Sequence, residues 1–194
     1  RWMVDEEIID KDPSLKLPQV KLPKRLRNSL TIEDIERLRL ACNDTRERAL
    51  IELLFATGCR LSELVGINVE DLNFQDNSIR VIGKGNKERI GYFNTKAKVH
   101  IENYLKERQG YGEALFVTCK RPYNRVGPRG VQKIINKIAD KAGFDKSVFP
   151  HLFRHSMATL GLQNGASITT IQRLLGHSSI TTTEKYTETN MESV

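Results

Sequence analysis

Four short segments carry the side chains with chemistry in them. PHLFRHSMATLGL, residues 150–162, holds His151 and Arg154 three residues apart; QRLLGH ends on His177, and Tyr186 follows nine residues later in TTTEKYT. ATGCRLSEL holds Arg60 with Glu63 three residues on, and GKGNKER sets Lys84 and Lys87 among two glycines. An unperturbed phenol has a pKa of about 10, so Tyr186 becomes a nucleophile only if a base takes its proton or cations favour the phenolate. His151 and His177 are groups that exchange protons near neutrality. Arg60 and Arg154 stay charged and present planar forks of donors suited to oxyanions, and glycines beside Lys84 let the backbone approach a ligand closely. Each segment alone also has a plainer reading: a wetted helix face, a glycine-capped helix end, an i,i+3 ion pair, a basic hairpin. GKGNKER is not a nucleotide-binding P-loop, because its glycine spacing differs and a strand follows it.

The elements that must position these groups can be read from spacing. Thr31 is a good N-cap with Asp34 three residues on, and Ile32, Ile35, Leu38 and Cys42 recur at helical intervals. A second helix runs from Arg46 to Thr57, with Gly58 placed to end it in the left-handed conformation, and a short helix covers Leu61–Val65. In residues 78–93, Ile79, Val81, Ile90 and Tyr92 alternate about a basic tip, which predicts a β-hairpin. Helices are expected over Lys96–Arg108, Gly130–Ala142, Pro150–Gln163, Ile168–Leu175 and around Thr181–Thr187, with a short strand at Ala114–Val117. On a wheel of about 100° per residue, Phe153, Met157 and Leu160 form the buried side of 150–163, and His151 and Arg154 share the other. Tyr92, Tyr104, Tyr111 and Tyr123 are expected to pack. The fold class is therefore mainly α with a small antiparallel β-sheet (α+β).

The chain has 194 residues, 39% hydrophobic and 28% charged, a composition that folds and is not that of a mainly disordered segment. Lys and Arg total 31 against 24 Asp and Glu, a net charge of +7, which favours a partner rich in phosphate. Three cysteines, Cys42, Cys59 and Cys119, match neither a disulfide framework nor a zinc site and fit a reducing cytoplasm. No stretch has the length of a membrane span or the pattern of a secretion signal. Residues 11–30 contain three prolines and six basic side chains against one acid, and read as a surface arm. Residues 1–28 are expected to be the end of a preceding domain plus this basic linker, and 29–194 the main domain with a short C-terminal tail.

Taken in order, the four segments resemble the catalytic domain of the tyrosine recombinase, or phage integrase, family, in its Xer-like and transposon-integrase branches. The resemblance runs from the basic linker to Tyr186. By similarity Arg60, Lys84, His151, Arg154 and His177 are catalytic, Glu63 supports them, and Tyr186 is the nucleophile; no matched position departs from the pattern. The implied activity is site-specific DNA recombination through a covalent 3′-phosphotyrosine, with no cofactor and no metal. Alternatives are a DNA-relaxing enzyme of the type IB topoisomerase kind and a non-catalytic DNA-binding module. His151 is the expected base, His177 a donor to the phosphate, and Lys84 the acid for the leaving 5′ oxygen. Double-stranded DNA is the expected partner, bound by Lys24, Arg25, Arg27, Lys87, Arg89, Lys120, Arg121, Arg125, Arg129 and Lys133. The full-length protein is expected to work as a tetramer on two sites in the nucleoid, and the fragment alone to be monomeric.

Overall fold

The computed structural model describes residues 29–83, 85–110 and 112–176, with positions 4, 6 and 8–10. Lys24, Arg25, Arg27, Lys84, His177, Tyr186 and the helix expected around 181–187 lie outside the described residues.

Helix α1 (Ile32–Ala41) starts on the expected box: Thr31 Oγ1 accepts from the Asp34 amide at 3.1 Å, and Asp34 returns the contact to the Thr31 amide at 3.2 Å. Helix α2 (Thr45–Thr57) begins one residue before the expected start because Asp44 caps it, accepting from the Glu47 amide at 2.7 Å. It stops at Gly58, which adopts φ +55°. Leu50, Ile51, Leu53 and Leu54 are wholly buried, so α2 has no wet face along its middle and acts as the central post. Helix α3 (Leu61–Gly66) follows after a three-residue turn.

A three-stranded antiparallel sheet comes next, in the order β1 (Leu72–Asn73), β2 (Ser78–Ile82), β3 (Glu88–Tyr92). The hairpin is as expected, but β1 was not, being two residues long and without a pattern of its own. Register pairs Ile79 with Gly91 and Val81 with Arg89. The inward side of β3 is thus Arg89 and Gly91, leaving Ile90 and Tyr92 about half exposed, at 50% and 55%. Tyr92 therefore does not pack as expected. Tyr104 does, 4% exposed and stacked 5.5 Å from Phe116.

Helix α4 (Thr95–Glu107) lies against α2, capped by Asn94. Residues 114–117 form no strand: two isolated bridges, Asn68 to Ala114 and Val117 to Arg125, replace it. Helix α5 (Pro128–Lys141) begins two residues before the expected start, since proline at the first helical position loses no bond. Helices α6 (Pro150–Gln163) and α7 (Ile168–Leu175) have the expected limits, and Gly176 closes α7 at φ +64°. The main core joins α1 to α6, and a second cluster of Ala158, Ile171 and Leu175 seals α6 to α7. No helix among the described residues is long and apolar enough to cross a membrane.

Candidate active site

The turn between α2 and α3 is the point where the chemistry-bearing segments meet. Arg60 is the N-cap of α3, and Glu63 in the first turn of that helix binds it twice. One carboxylate oxygen accepts from the Arg60 amide at 2.9 Å and the other from Arg60 Nη1 at 2.8 Å. Glu63 is fully buried as a side chain, whereas Arg60 is 45% exposed, so the guanidinium is held from below and faces outward. The i,i+3 spacing read from the sequence is therefore an actual pair.

Arg154 departs from the helical-wheel expectation. It is 2% exposed, because α7 covers the side of α6 that the wheel left to solvent. Burial of a charge is tolerated only with partners, and Arg154 has them: Nη1 donates to the Gly58 carbonyl at 2.7 Å and Nη2 to the Leu175 carbonyl at 2.8 Å. One planar group thus spans the turn that bears Arg60 and the helix end that precedes His177. The site is closely packed there. A Cβ on Gly58 would lie 2.7 Å from Met157 Cε and 2.9 Å from Leu175 Cδ2, and glycine also supplies the positive φ. His151, one turn earlier on α6, is exposed.

Arg89 was expected on the DNA-binding surface and is instead an internal bridge, its side chain only 13% exposed. Its Nη2 donates to Glu63 at 2.8 Å and its Nη1 to the Leu174 carbonyl at 2.8 Å. The reason is register: paired with Val81, Arg89 falls on the inward face of the sheet. Sequence reasoning could have found it by carrying the inward phase of Ile79 and Val81 across the hairpin. Gly83, next in the chain to Lys84, also abuts the cluster: a Cβ there would lie 3.4 Å from a Glu63 carboxylate oxygen. Arg125 is on the surface, its Nη1 donating to the Val65 and Ile67 carbonyls at 2.7 and 3.0 Å and its Nη2 to Asn68 Oδ1. Lys87, Lys120, Arg121, Arg129 and Lys133 are exposed, the last two on α5.

Burial works against ionisation of Glu63. Hydrogen bonds from Arg89 and the Arg60 amide, with the Arg89 charge, outweigh it and hold the carboxyl below the usual carboxylate range. Cys59, between Gly58 and Arg60, is pushed up to about 11 by burial, so its thiol stays neutral at the floor of the site. No cluster of three or more His, Cys, Asp or Glu able to hold a metal ion occurs among the described residues.

What this arrangement can do is hold two guanidiniums in fixed relation to three separate segments: the hairpin, the α2–α3 turn and the end of α7. Known proteins share both sequence and shape with it. The model of the phage integrase family matches residues 28–193. Tyrosine recombinase XerD of Halalkalibacterium halodurans is 35% identical over 96% of this chain, and tyrosine recombinase XerC of Mannheimia succiniciproducens is 36% identical over 93%. The chain spans 66% and 63% of those relatives' lengths, just under two thirds. A crystal structure of XerA recombinase superposes with a TM-score of 0.77 at 31% identity, covering 87% of this chain and 64% of that one. The XerH site-specific recombinase, solved as a post-cleavage complex with its palindromic difH substrate, superposes with a TM-score of 0.73 at 25% identity, covering 87% and 51%.

Proposed function

Because this chain belongs to the phage integrase family, whose model spans residues 28–193, we propose that it is the catalytic part of a site-specific DNA recombinase that cuts and rejoins strands through a 3′-phosphotyrosine. One observation carries the reading: buried Arg154 bonds both Gly58 and Leu175, so the segments bearing Arg60 and leading to His177 are fixed to one guanidinium.

Attack on a phosphodiester by Tyr186 puts growing negative charge on two non-bridging oxygens. Arg60 and Arg154 are the donors for that charge, already oriented before substrate arrives, which is what makes such donors effective. Losing one donor of this kind costs about 3 kcal/mol, a hundredfold or more in rate. His151 accepts the phenolic proton, His177 donates to the phosphate, and Lys84 protonates the leaving 5′ oxygen. The phosphotyrosyl bond keeps the energy of the phosphodiester, so a 5′ hydroxyl can reverse the attack without nucleotide hydrolysis or a metal ion. Double-stranded DNA is held by exposed Lys87, Lys120, Arg121, Arg129 and Lys133 and by Lys24, Arg25 and Arg27 of the basic arm. Residues 1–28 are the end of a core-binding domain plus a basic linker to the catalytic domain at 29–194, and the full-length protein assembles as a tetramer on two sites in the cytoplasm.

A duplex nicked just beyond the cleavage position tests this. Loss of the short 5′ fragment should trap protein covalently on the 3′ phosphate, with Tyr186→Phe abolishing the adduct. Undiminished adduct with Tyr186→Phe, or an adduct at a 5′ phosphate, overturns the reading. Relaxation of supercoils by monomers with no recombinant product favours the topoisomerase alternative.

A further inference from the structure

Arg89 is part-buried, charged and placed between two parts of the site, yet nothing in the chemistry above uses it. Three features of its surroundings matter. Its Nη2 takes up the Glu63 carboxylate oxygen that also holds the Arg60 amide. Its Nη1 reaches across to the Leu174 carbonyl in the last turn of α7. Its stem lies so close to Gly176 that a Cβ there would sit 2.6 Å from Arg89 Cδ. Arg89 Nε is buried and finds no hydrogen-bond partner among the described residues.

We propose that Arg89 is a positioning residue: carried on the hairpin, it locks the carboxylate that holds Arg60 to the helix end that leads into His177. This rests on the recombinase reading of the same site. The hairpin, the α2–α3 turn and α7 come from distant parts of the sequence, and van der Waals packing alone would let them slide. A guanidinium with donors along two edges fixes both the spacing and the angle between its two acceptors, which a single ammonium cannot do. Arg89 and Arg154 thus clip α7 at successive carbonyls, Leu174 and Leu175, from opposite partners, Glu63 and Gly58. Misplacement by about 1 Å in such a site costs on the order of a hundredfold in rate.

The test uses the full chain with Arg89→Ala and Arg89→Lys, and has two arms. In single-turnover trapping on nicked DNA, both variants should form the covalent adduct about a hundredfold more slowly than the unaltered chain. Their DNA affinity should change by less than about threefold, and the slope of log affinity against log salt should stay the same. A phosphate contact, by contrast, would lower that slope by about one. Full rate with Arg89→Lys, or a reduced salt slope, overturns the proposal. The second arm needs no activity: amide hydrogen exchange at Leu174–Gly176 should quicken at least tenfold in both variants while the α2 amides at Leu50–Leu54 keep their protection. Unchanged exchange at the α7 end overturns the proposal. If the unaltered chain forms no adduct at all, the recombinase reading fails, and the exchange result still decides whether Arg89 holds α7.

Discussion

Glu63 grips Arg60 at two points, accepting from its amide at 2.9 Å and from its Nη1 at 2.8 Å, and the same carboxylate takes Arg89 at 2.8 Å. A single buried acid therefore fixes one exposed cation and neutralises one part-buried one. The exposed cation faces solvent with its orientation held from beneath.

Removing that acid leaves part-buried Arg89 without its counter-charge. Glu63→Ala should lower unfolding free energy by about 3 kcal/mol, the size seen when one member of a buried pair is deleted. Urea denaturation measures it. A loss under about 0.5 kcal/mol would show that Arg89 simply swings to water.

The pH dependence has a definite sign. The folded Glu63 carboxyl ionises below its usual range, so its contribution is fully present above the unfolded value of about 4.3 and is lost as pH falls through the lower folded value. The stability gap between the unaltered chain and Glu63→Gln should be constant from neutrality to about pH 5 and shrink below about pH 4. A gap that widens on acidification contradicts the assignment.

Arg154→Lys keeps the charge and loses the span. An ammonium cannot reach the Gly58 and Leu175 carbonyls in the geometry of a planar fork. Covalent-adduct formation should fall at least a hundredfold, and an unfilled buried carbonyl should cost about 1–3 kcal/mol of stability. Near-normal adduct formation would mean that lysine suffices as the oxyanion donor.

Gly58→Ala probes the same joint from the backbone. Its φ of +55° costs a non-glycine residue about 1 kcal/mol, and the new methyl must displace the Met157 end and Leu175. Thermal unfolding should drop by about 4–8 °C, for about 2 kcal/mol in a chain of this size. An unchanged midpoint would show that the turn relaxes without strain.

Much of this was legible in the sequence. The capped start at Thr31, the stop at Gly58 and the limits of 150–163 and 168–175 follow from local rules, because caps and glycine act within a few residues. The Arg60–Glu63 pair is equally local. What failed was long-range. A wheel shows which side of α6 is polar but not that α7 will cover it, so Arg154 was placed with His151 in solvent when it is buried. Arg89 was counted with the basic surface because charge alone says nothing of strand register, which turns it inward beside Gly91. The bonds from Arg125 to the Val65 and Ile67 carbonyls, 60 and 58 positions earlier, are long-range in the same way and no local rule gives them. The Ala114–Val117 strand was expected from its apolar run, but its two ends pair with different partners and it never extends.

The central claim is that Tyr186 attacks DNA in a site framed by Arg60 and Arg154. Trypsin after adduct trapping gives a direct measurement, because cleavage at Lys185 leaves Tyr186 at the start of its peptide, apart from every earlier tyrosine of the sequence. Mass spectrometry should find the nucleotide mass on that peptide, attached through a 3′ phosphate. Finding it on any other peptide, or finding none while DNA is cut, would contradict the account.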